Sequence, residues 1–169
     1  MRVVVDANLL IADALPVDYS AEAHRRLAGW LEEGAQLFAP SLWLYEAVSA
    51  IRKSAVADRL GGITAYDALD ALLAFPITTV APDADLLAGA LAWADRLGDL
   101  VAYDATYLAL ADSLGAPLWT ADGPLYRRAR AAGAEFVWLL IREHPLFAHA
   151  PKRGRASTAR ESGMAPESF

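Results

Sequence analysis

Short runs of β-branched and apolar residues alternate with longer helical segments along most of the chain. These runs, each predicted as a strand, cover residues 3–6, 36–39, 77–80, 117–120 and 135–140. Helix start and stop residues punctuate the segments between them, such as Thr64 with Asp67 three positions later. Strands that alternate with helices in this way predict an α/β fold, in which helices cover both faces of a parallel sheet.

The chain has 169 residues, 56% of them hydrophobic, which is enough to bury the core of one domain. We predict that this domain covers residues 1–148 and that residues 149–169, which are basic and rich in Pro, Gly and Ser, form a flexible tail. The absence of cysteine excludes thiolate metal sites and disulfides. No targeting segment and no long uncharged apolar run is visible, so a cytoplasmic protein without a membrane anchor is expected.

Two aspartates directly follow predicted strands. Asp6 comes after three consecutive valines, and Asp122 follows the strand at 117–120. Because ligands bind beyond the carboxyl ends of parallel strands, both side chains are candidate site residues. Each could equally be the N-cap of the helix that follows it, and an N-cap residue is compatible with a binding role.

Two further acids lie on predicted helices. Asp104 shares a helical stripe with Tyr107, Leu108 and Ala111, and a carboxylate on an apolar face needs a partner or a cation. The alternative for Asp104 is a half-exposed first-turn acid that the helix dipole stabilises. Glu46 lies opposite the predicted apolar stripe of its helix, which by itself indicates a solvated side chain. That stripe consists of Leu44, Val48, Ile51 and Ala55. The alternative is that Glu46 borders a cleft, because Trp43, Ala47 and Ala50 flank it and make that side apolar as well.

Two small polar residues accompany these acids. Asn8 is either a turn residue or a hydrogen-bond donor to the carboxylates, and Thr120 is either a strand residue or a supporting hydroxyl. Considered alone, each residue fits the structural role better.

Taken together, these segments resemble one known family. The motifs VVVDANLL, LWLYEAVSAI, AYDATYLALADSLGAPLWTADGPL and EFVWLL, in this order over about residues 2–140, are similar to PIN domains, and within them to VapC toxins of toxin–antitoxin modules. The resemblance implies a five-stranded parallel sheet in a three-layer sandwich and a metal-dependent ribonuclease. Its metal-binding acids fall on Asp6, Glu46, Asp104 and Asp122, and supporting polar residues fall on Asn8 and Thr120.

The same resemblance implies a homodimer, an RNA substrate and a small cognate antitoxin. Carboxylate ligands suit Mg²⁺ or Mn²⁺, with one or two ions per site. We assign Asp6, Glu46 and Asp104 to the principal ion, and Asp122 to a second ion or to the attacking water. The chain is acidic, with a net charge of −6, so RNA binding needs local positive charge. The candidates closest in sequence to Asp122 are Arg127, Arg128 and Arg130.

Two alternatives remain open from the residues. A haloacid-dehalogenase-type phosphohydrolase would use Asp6 as a nucleophile, but it needs a second aspartate where this chain has Asn8. A catalytically idle PIN-like binding module would act by tethering a partner, although the presence of all four acids argues against it.

Overall fold

The computed structural model describes residues 1–98 and 102–140. Its strands are β1 (Arg2–Val5), β2 (Gln36–Pro40), β3 (Thr78–Val80), β4 (Leu118–Thr120) and β5 (Val137–Leu139). Its helices are α1 (Ala7–Ala14), α2 (Ser20–Glu32), α3 (Leu42–Val56), α4 (Ala65–Leu73), α5 (Ala84–Leu97), α6 (Tyr103–Leu114) and α7 (Gly123–Ala131). The predicted tail at 149–169 and the end of the predicted domain at 148 lie outside the described residues.

The five strands form one parallel sheet in the order β3-β2-β1-β4-β5. The predicted α/β fold with a five-stranded parallel sheet is therefore confirmed. Strand β1 is central and pairs with β2 on one side and β4 on the other, so that Val4 lies opposite both Phe38 and Leu118. The chain leaves β1 toward β2 and later returns to the other side of β1, which creates a crevice at the carboxyl ends of β1 and β4.

The core surrounds the central strand. Val3, Val4 and Val5 are completely buried, because helices cover both faces of the sheet. Helix α6 packs into the same core through Tyr107 and Leu108. This packing holds the first turn of α6 near the end of β1. Asp6, after β1, and Asp104, in that first turn, therefore lie at the same edge of the sheet.

Local sequence chemistry accounts for several helix ends. Thr64 and Asp67 form the predicted capping box at the start of α4. Asp83 caps α5, and the helix ends at Gly98, whose positive φ of 67° suits a residue without a Cβ atom. In the described part of the chain, every helix is too short or too polar to cross a bilayer.

Candidate functional site

Asp6 lies at the end of β1 and is only 7% exposed. Asp6 is the N-cap residue of α1, and its Oδ1 atom accepts a long hydrogen bond from the backbone amide of Asn8 at 3.4 Å. Its Oδ2 atom accepts hydrogen bonds from the Thr120 hydroxyl at 2.6 Å and from Asn8 Nδ2 at 2.7 Å. The two interpretations left open for Asp6 are therefore compatible, since one residue caps a helix and presents a fixed carboxylate to the crevice.

Asn8 and Thr120 connect Asp6 to the end of the neighbouring strand. Asn8 Nδ2 also lies 3.2 Å from the Thr120 hydroxyl oxygen, and Asn8 Oδ1 accepts from the Ala121 amide at 3.0 Å. The Thr120 oxygen in turn accepts from the Asp122 amide at 2.9 Å. Both side chains thus position the acids, beyond the turn and strand roles that each residue alone fits best.

Asp122 lies after β4, at the same edge of the sheet as Asp6. Its Oδ1 accepts from the Leu125 amide at 2.7 Å and caps α7, so the capping interpretation is correct. This bond uses one carboxylate oxygen. A side chain that caps a helix has a fixed orientation, which suits a residue that also binds a ligand.

Glu46 approaches the crevice from α3, and the sequence-based view of this helix needs correction. The buried residues of α3 are Trp43, Ala47 and Ile51, whereas Val48, which was expected in the apolar stripe, is 53% exposed. Glu46 therefore flanks the buried side of α3 and is half-buried. The helix is amphipathic as predicted and Ile51 is buried as expected, but the buried stripe is turned toward Trp43 and Ala47, the apolar side that the alternative for Glu46 proposed.

A buried tyrosine contacts Glu46. The Tyr107 hydroxyl, on α6, donates a short hydrogen bond to Glu46 Oε2. The tyrosine side chain is fully buried, and its position three residues after Asp104 places both on one helix face. Sequence reasoning assigned Tyr107 to the core and missed this contact, although a buried tyrosine hydroxyl generally requires a polar partner.

Asp104 lies in the first turn of α6 and is more exposed than its place on an apolar stripe implies. Its side chain is 44% exposed, and its Oδ2 atom lies 3.3 Å from Arg128 Nη2 on α7. The stripe prediction holds for Tyr107 and Leu108, but the helix end leaves Asp104 in partial contact with water. Desolvation alone therefore does not require a cation at Asp104.

The electrostatics indicate that these carboxylates influence one another. Burial raises the pKa of Asp6 to about 7, the Thr120 hydrogen bond opposes that rise, and the charges of Glu46 and Asp104 add to it. The pKa of Glu46 is also raised, mainly by burial and partly by Asp104. The ionised forms of these acids are therefore destabilised, and a nearby cation would stabilise them.

Tyr19 is a second residue that sequence reasoning did not identify. Burial raises its pKa, and the charges of Asp6 and Asp122 raise it further. Its hydroxyl, at the turn before α2, is therefore close enough to both acids for their charges to act on it. No pattern in the sequence predicts this proximity, because it depends on how α2 packs.

The donor chemistry of the four acids fits a hard divalent cation, since all available ligands are carboxylate oxygens. The raised pKa of Asp6 supports the same fit. In residues 1–98 and 102–140, however, no three acidic or histidine side chains converge into a ready metal cage. Binding one shared ion therefore requires side-chain movement, for which Asp104 and Glu46 have room because they are only partly buried.

Several solved structures resemble this fold. PAE2754 from Pyrobaculum aerophilum is 29% identical, with a TM-score of 0.56 over 76% of this chain and 79% of that chain. VapBC2 from Rickettsia felis, bound to a DNA fragment from their promoter, is 12% identical with a TM-score of 0.60, covering 82% of this chain and 98% of that chain. A toxin–antitoxin complex from Klebsiella pneumoniae is 20% identical with a TM-score of 0.56, covering 83% and 99%.

No curated protein matches the chain. The family model described as PIN domain matches residues 3–131, which include β4, all of β1 except its first residue, and all four acids. The sequence motifs, the parallel sheet and the family match agree, and the chain belongs to the PIN domain family.

Proposed function

We propose that this chain is an endoribonuclease that depends on Mg²⁺ or Mn²⁺ and hydrolyses RNA phosphodiesters. The residues that would hold one or two ions are Asp6, Glu46, Asp104 and Asp122. The observation that carries this proposal is the buried Asp6 carboxylate, fixed by Thr120 and Asn8 and raised in pKa by its surroundings. Acids from three other segments lie at the same edge of the sheet, and membership of the PIN domain family supports a nuclease.

Each acid contributes in a way that its contacts support. Asp6 presents a fixed oxygen at the end of β1, and Glu46 and Asp104 approach from α3 and α6. Asp122 retains one oxygen that does not cap α7, and we assign it to a second ion or to orientation of the attacking water. The bound metal would lower the pKa of that water and stabilise the charge that develops on the phosphodiester oxygens.

Substrate binding requires positive charge beside the acids. Arg128 lies at this position, because its guanidinium group contacts Asp104 while 42% of its side chain remains exposed. Arg130 is exposed, but its Nη1 atom donates to the Glu135 carbonyl at 2.5 Å, which ties it to the turn before β5. Between Arg128 and Arg130, we therefore favour Arg128 as the main phosphate contact. Arg127 is also exposed and stays a candidate.

We further propose that the chain is the toxin of a VapBC-type module, a cytoplasmic homodimer that a small cognate antitoxin neutralises. The VapC-like motifs support this role, as do the similar folds of VapBC2 and of the Klebsiella pneumoniae toxin–antitoxin complex. Expression of the chain alone should arrest growth, and Asp6→Asn should relieve the arrest at equal protein level. Arrest that persists with Asp6→Asn would contradict a nuclease toxin.

The direct test is RNA cleavage by the purified chain with Mg²⁺ or Mn²⁺. The double variant Asp6→Asn/Asp104→Asn should reduce cleavage at least about 100-fold, because it removes two ligand charges. The matched control is Asp85→Asn/Asp95→Asn, which changes two exposed acids of α5 and should cleave normally. If the Asp6→Asn/Asp104→Asn variant cleaves RNA as fast as the wild type, the proposal is refuted. If the metal-loaded wild type cleaves no RNA, the catalytically idle binding module is favoured.

The haloacid-dehalogenase alternative has no support in the geometry. Asn8 occupies the position where that chemistry needs a second aspartate, and its amide is fully engaged with Asp6, Thr120 and Ala121. The match to the PIN domain family also points away from this chemistry.

A further inference from the structure

The contact between Tyr107 and Glu46 joins two helices at the candidate site. Tyr107 belongs to α6 and Glu46 to α3, and the residues are 61 positions apart in the chain. A carboxylate can only accept hydrogen bonds, so the tyrosine hydroxyl must be the donor unless Glu46 is protonated. The bond engages Glu46 Oε2 and leaves Oε1 as the oxygen that can face a cation.

The surroundings fix the tyrosine and not the glutamate. The Tyr107 side chain is fully buried beside the Asp6 and Glu46 charges, and its hydroxyl interacts with the Ala7 backbone at the start of α1. Glu46 is only half-buried, on a long side chain with three rotatable bonds. Among the described residues, the hydrogen bond from Tyr107 is the one that the Glu46 carboxylate accepts, and it therefore restrains the orientation of that carboxylate.

We propose that Tyr107 is a positioning residue that holds Glu46 in the orientation needed to bind the divalent ion. This inference rests on the proposed metal-dependent function of the four acids. Tyr107 does not touch the substrate or the ion; it acts through Glu46. Without the hydroxyl, Glu46 samples rotamers that point into solvent, and each binding event must first restrict them.

The test compares Tyr107→Phe with Tyr103→Phe. Both variants remove one hydroxyl from α6, but Tyr103 is 63% exposed, and in the described part of the chain the hydroxyl that donates to Glu46 is that of Tyr107. Mn²⁺ binding, measured by titration calorimetry, should weaken about tenfold in Tyr107→Phe and stay unchanged in Tyr103→Phe. Circular dichroism and urea unfolding would show whether both variants are folded at the temperature of the titration.

A double-mutant cycle separates positioning from a general structural effect. In a Glu46→Gln background, Tyr107→Phe should cause no further loss of Mn²⁺ affinity, because the glutamate that it positions is already absent. An equal loss in both backgrounds would overturn the positioning role and indicate a distortion of the core.

The outcomes also distinguish this inference from the function on which it rests. If Tyr107→Phe binds Mn²⁺ with the affinity of the wild type, the role of Tyr107 is refuted and the metal site is unaffected. A wild-type chain that binds neither Mn²⁺ nor Mg²⁺ at millimolar concentration would overturn both the metal site and the inference.

Discussion

Replacement of Asp6 by asparagine should stabilise the metal-free chain at alkaline pH. The folded-state pKa of about 7 lies above the ordinary value of 3.8, so the folded chain retains a proton that the unfolded chain releases between these values. The unfolded state therefore binds fewer protons in this window, and stability falls as the pH rises through it. Asparagine has nearly the shape of protonated aspartate and can still accept from Thr120 and Asn8.

The magnitude follows from the difference between the two pKa values. At about 1.4 kcal/mol per pKa unit, the raised pKa of Asp6 costs the folded chain about 4 kcal/mol at pH 8, where Asp6 is ionised in both states, and about 2 kcal/mol at pH 5, where only the unfolded state has released the proton. We expect Asp6→Asn to raise the free energy of unfolding by amounts in this range, with a gain about 2 kcal/mol larger at pH 8 than at pH 5.

Urea unfolding followed by tryptophan fluorescence, at pH 5 and pH 8 with a chelator, measures this gain. The control is Asp70→Asn on the exposed side of α4, which should change stability by less than about 0.5 kcal/mol. Addition of Mg²⁺ at pH 8 should stabilise the wild type but not Asp6→Asn, since a ligand stabilises only the state that binds it. An Asp6→Asn variant that is less stable at pH 8, or a gain that does not change with pH, would refute the assigned burial effect.

Three further substitutions test separate parts of the site. Thr120→Val should destabilise the chain by about 1–3 kcal/mol in urea unfolding, because it removes a fully buried hydroxyl that bonds Asp6 and Asp122; unchanged stability would contradict that network. Asp122→Ala should lower the free energy of unfolding by about 1 kcal/mol because the helix cap is lost, whereas Asp122→Asn should keep the cap. Both variants should cleave RNA poorly. Full activity of Asp122→Asn would limit the role of Asp122 to capping. Arg128→Ala should weaken RNA binding and lower its salt dependence by about one phosphate contact. Arg130→Ala should weaken binding less, because its guanidinium group donates to the Glu135 carbonyl. Salt titrations that rank the two variants in the opposite order would argue against Arg128 as the main contact.

The fold was predictable because its pattern is local. Alternating strands and helices appear directly in the residue order, and Asp6 and Asp122 could be placed because each directly follows a strand of a parallel sheet. Glu46 was harder, since two sides of α3 look apolar and only tertiary packing shows that Trp43 and Ala47 are inside while Val48 is outside.

The contacts that position the acids were not predictable from periodicity. Tyr107 meets Glu46 across α6 and α3, and Arg128 meets Asp104 across α7 and α6, so both contacts depend on how these helices are placed by the tertiary fold. The family motifs predict the four acids as site residues, but the hydrogen-bond partners of these acids depend on side-chain packing between elements that lie far apart in the chain.

The bridge between Asn8 and Thr120 also has a consequence for when the site can form during synthesis. Its hydrogen bonds join Asp6 and Asn8, which follow β1, to Thr120 and Ala121 at the end of β4, and these residues are 112 to 114 positions apart. Contacts with such sequence separation form late, since most of the chain must first be ordered. A ribosome-bound fragment that lacks β4 has neither Thr120 nor Asp122. Assembly of this carboxylate cluster therefore coincides with near-completion of the domain, and partly made chains remain without it.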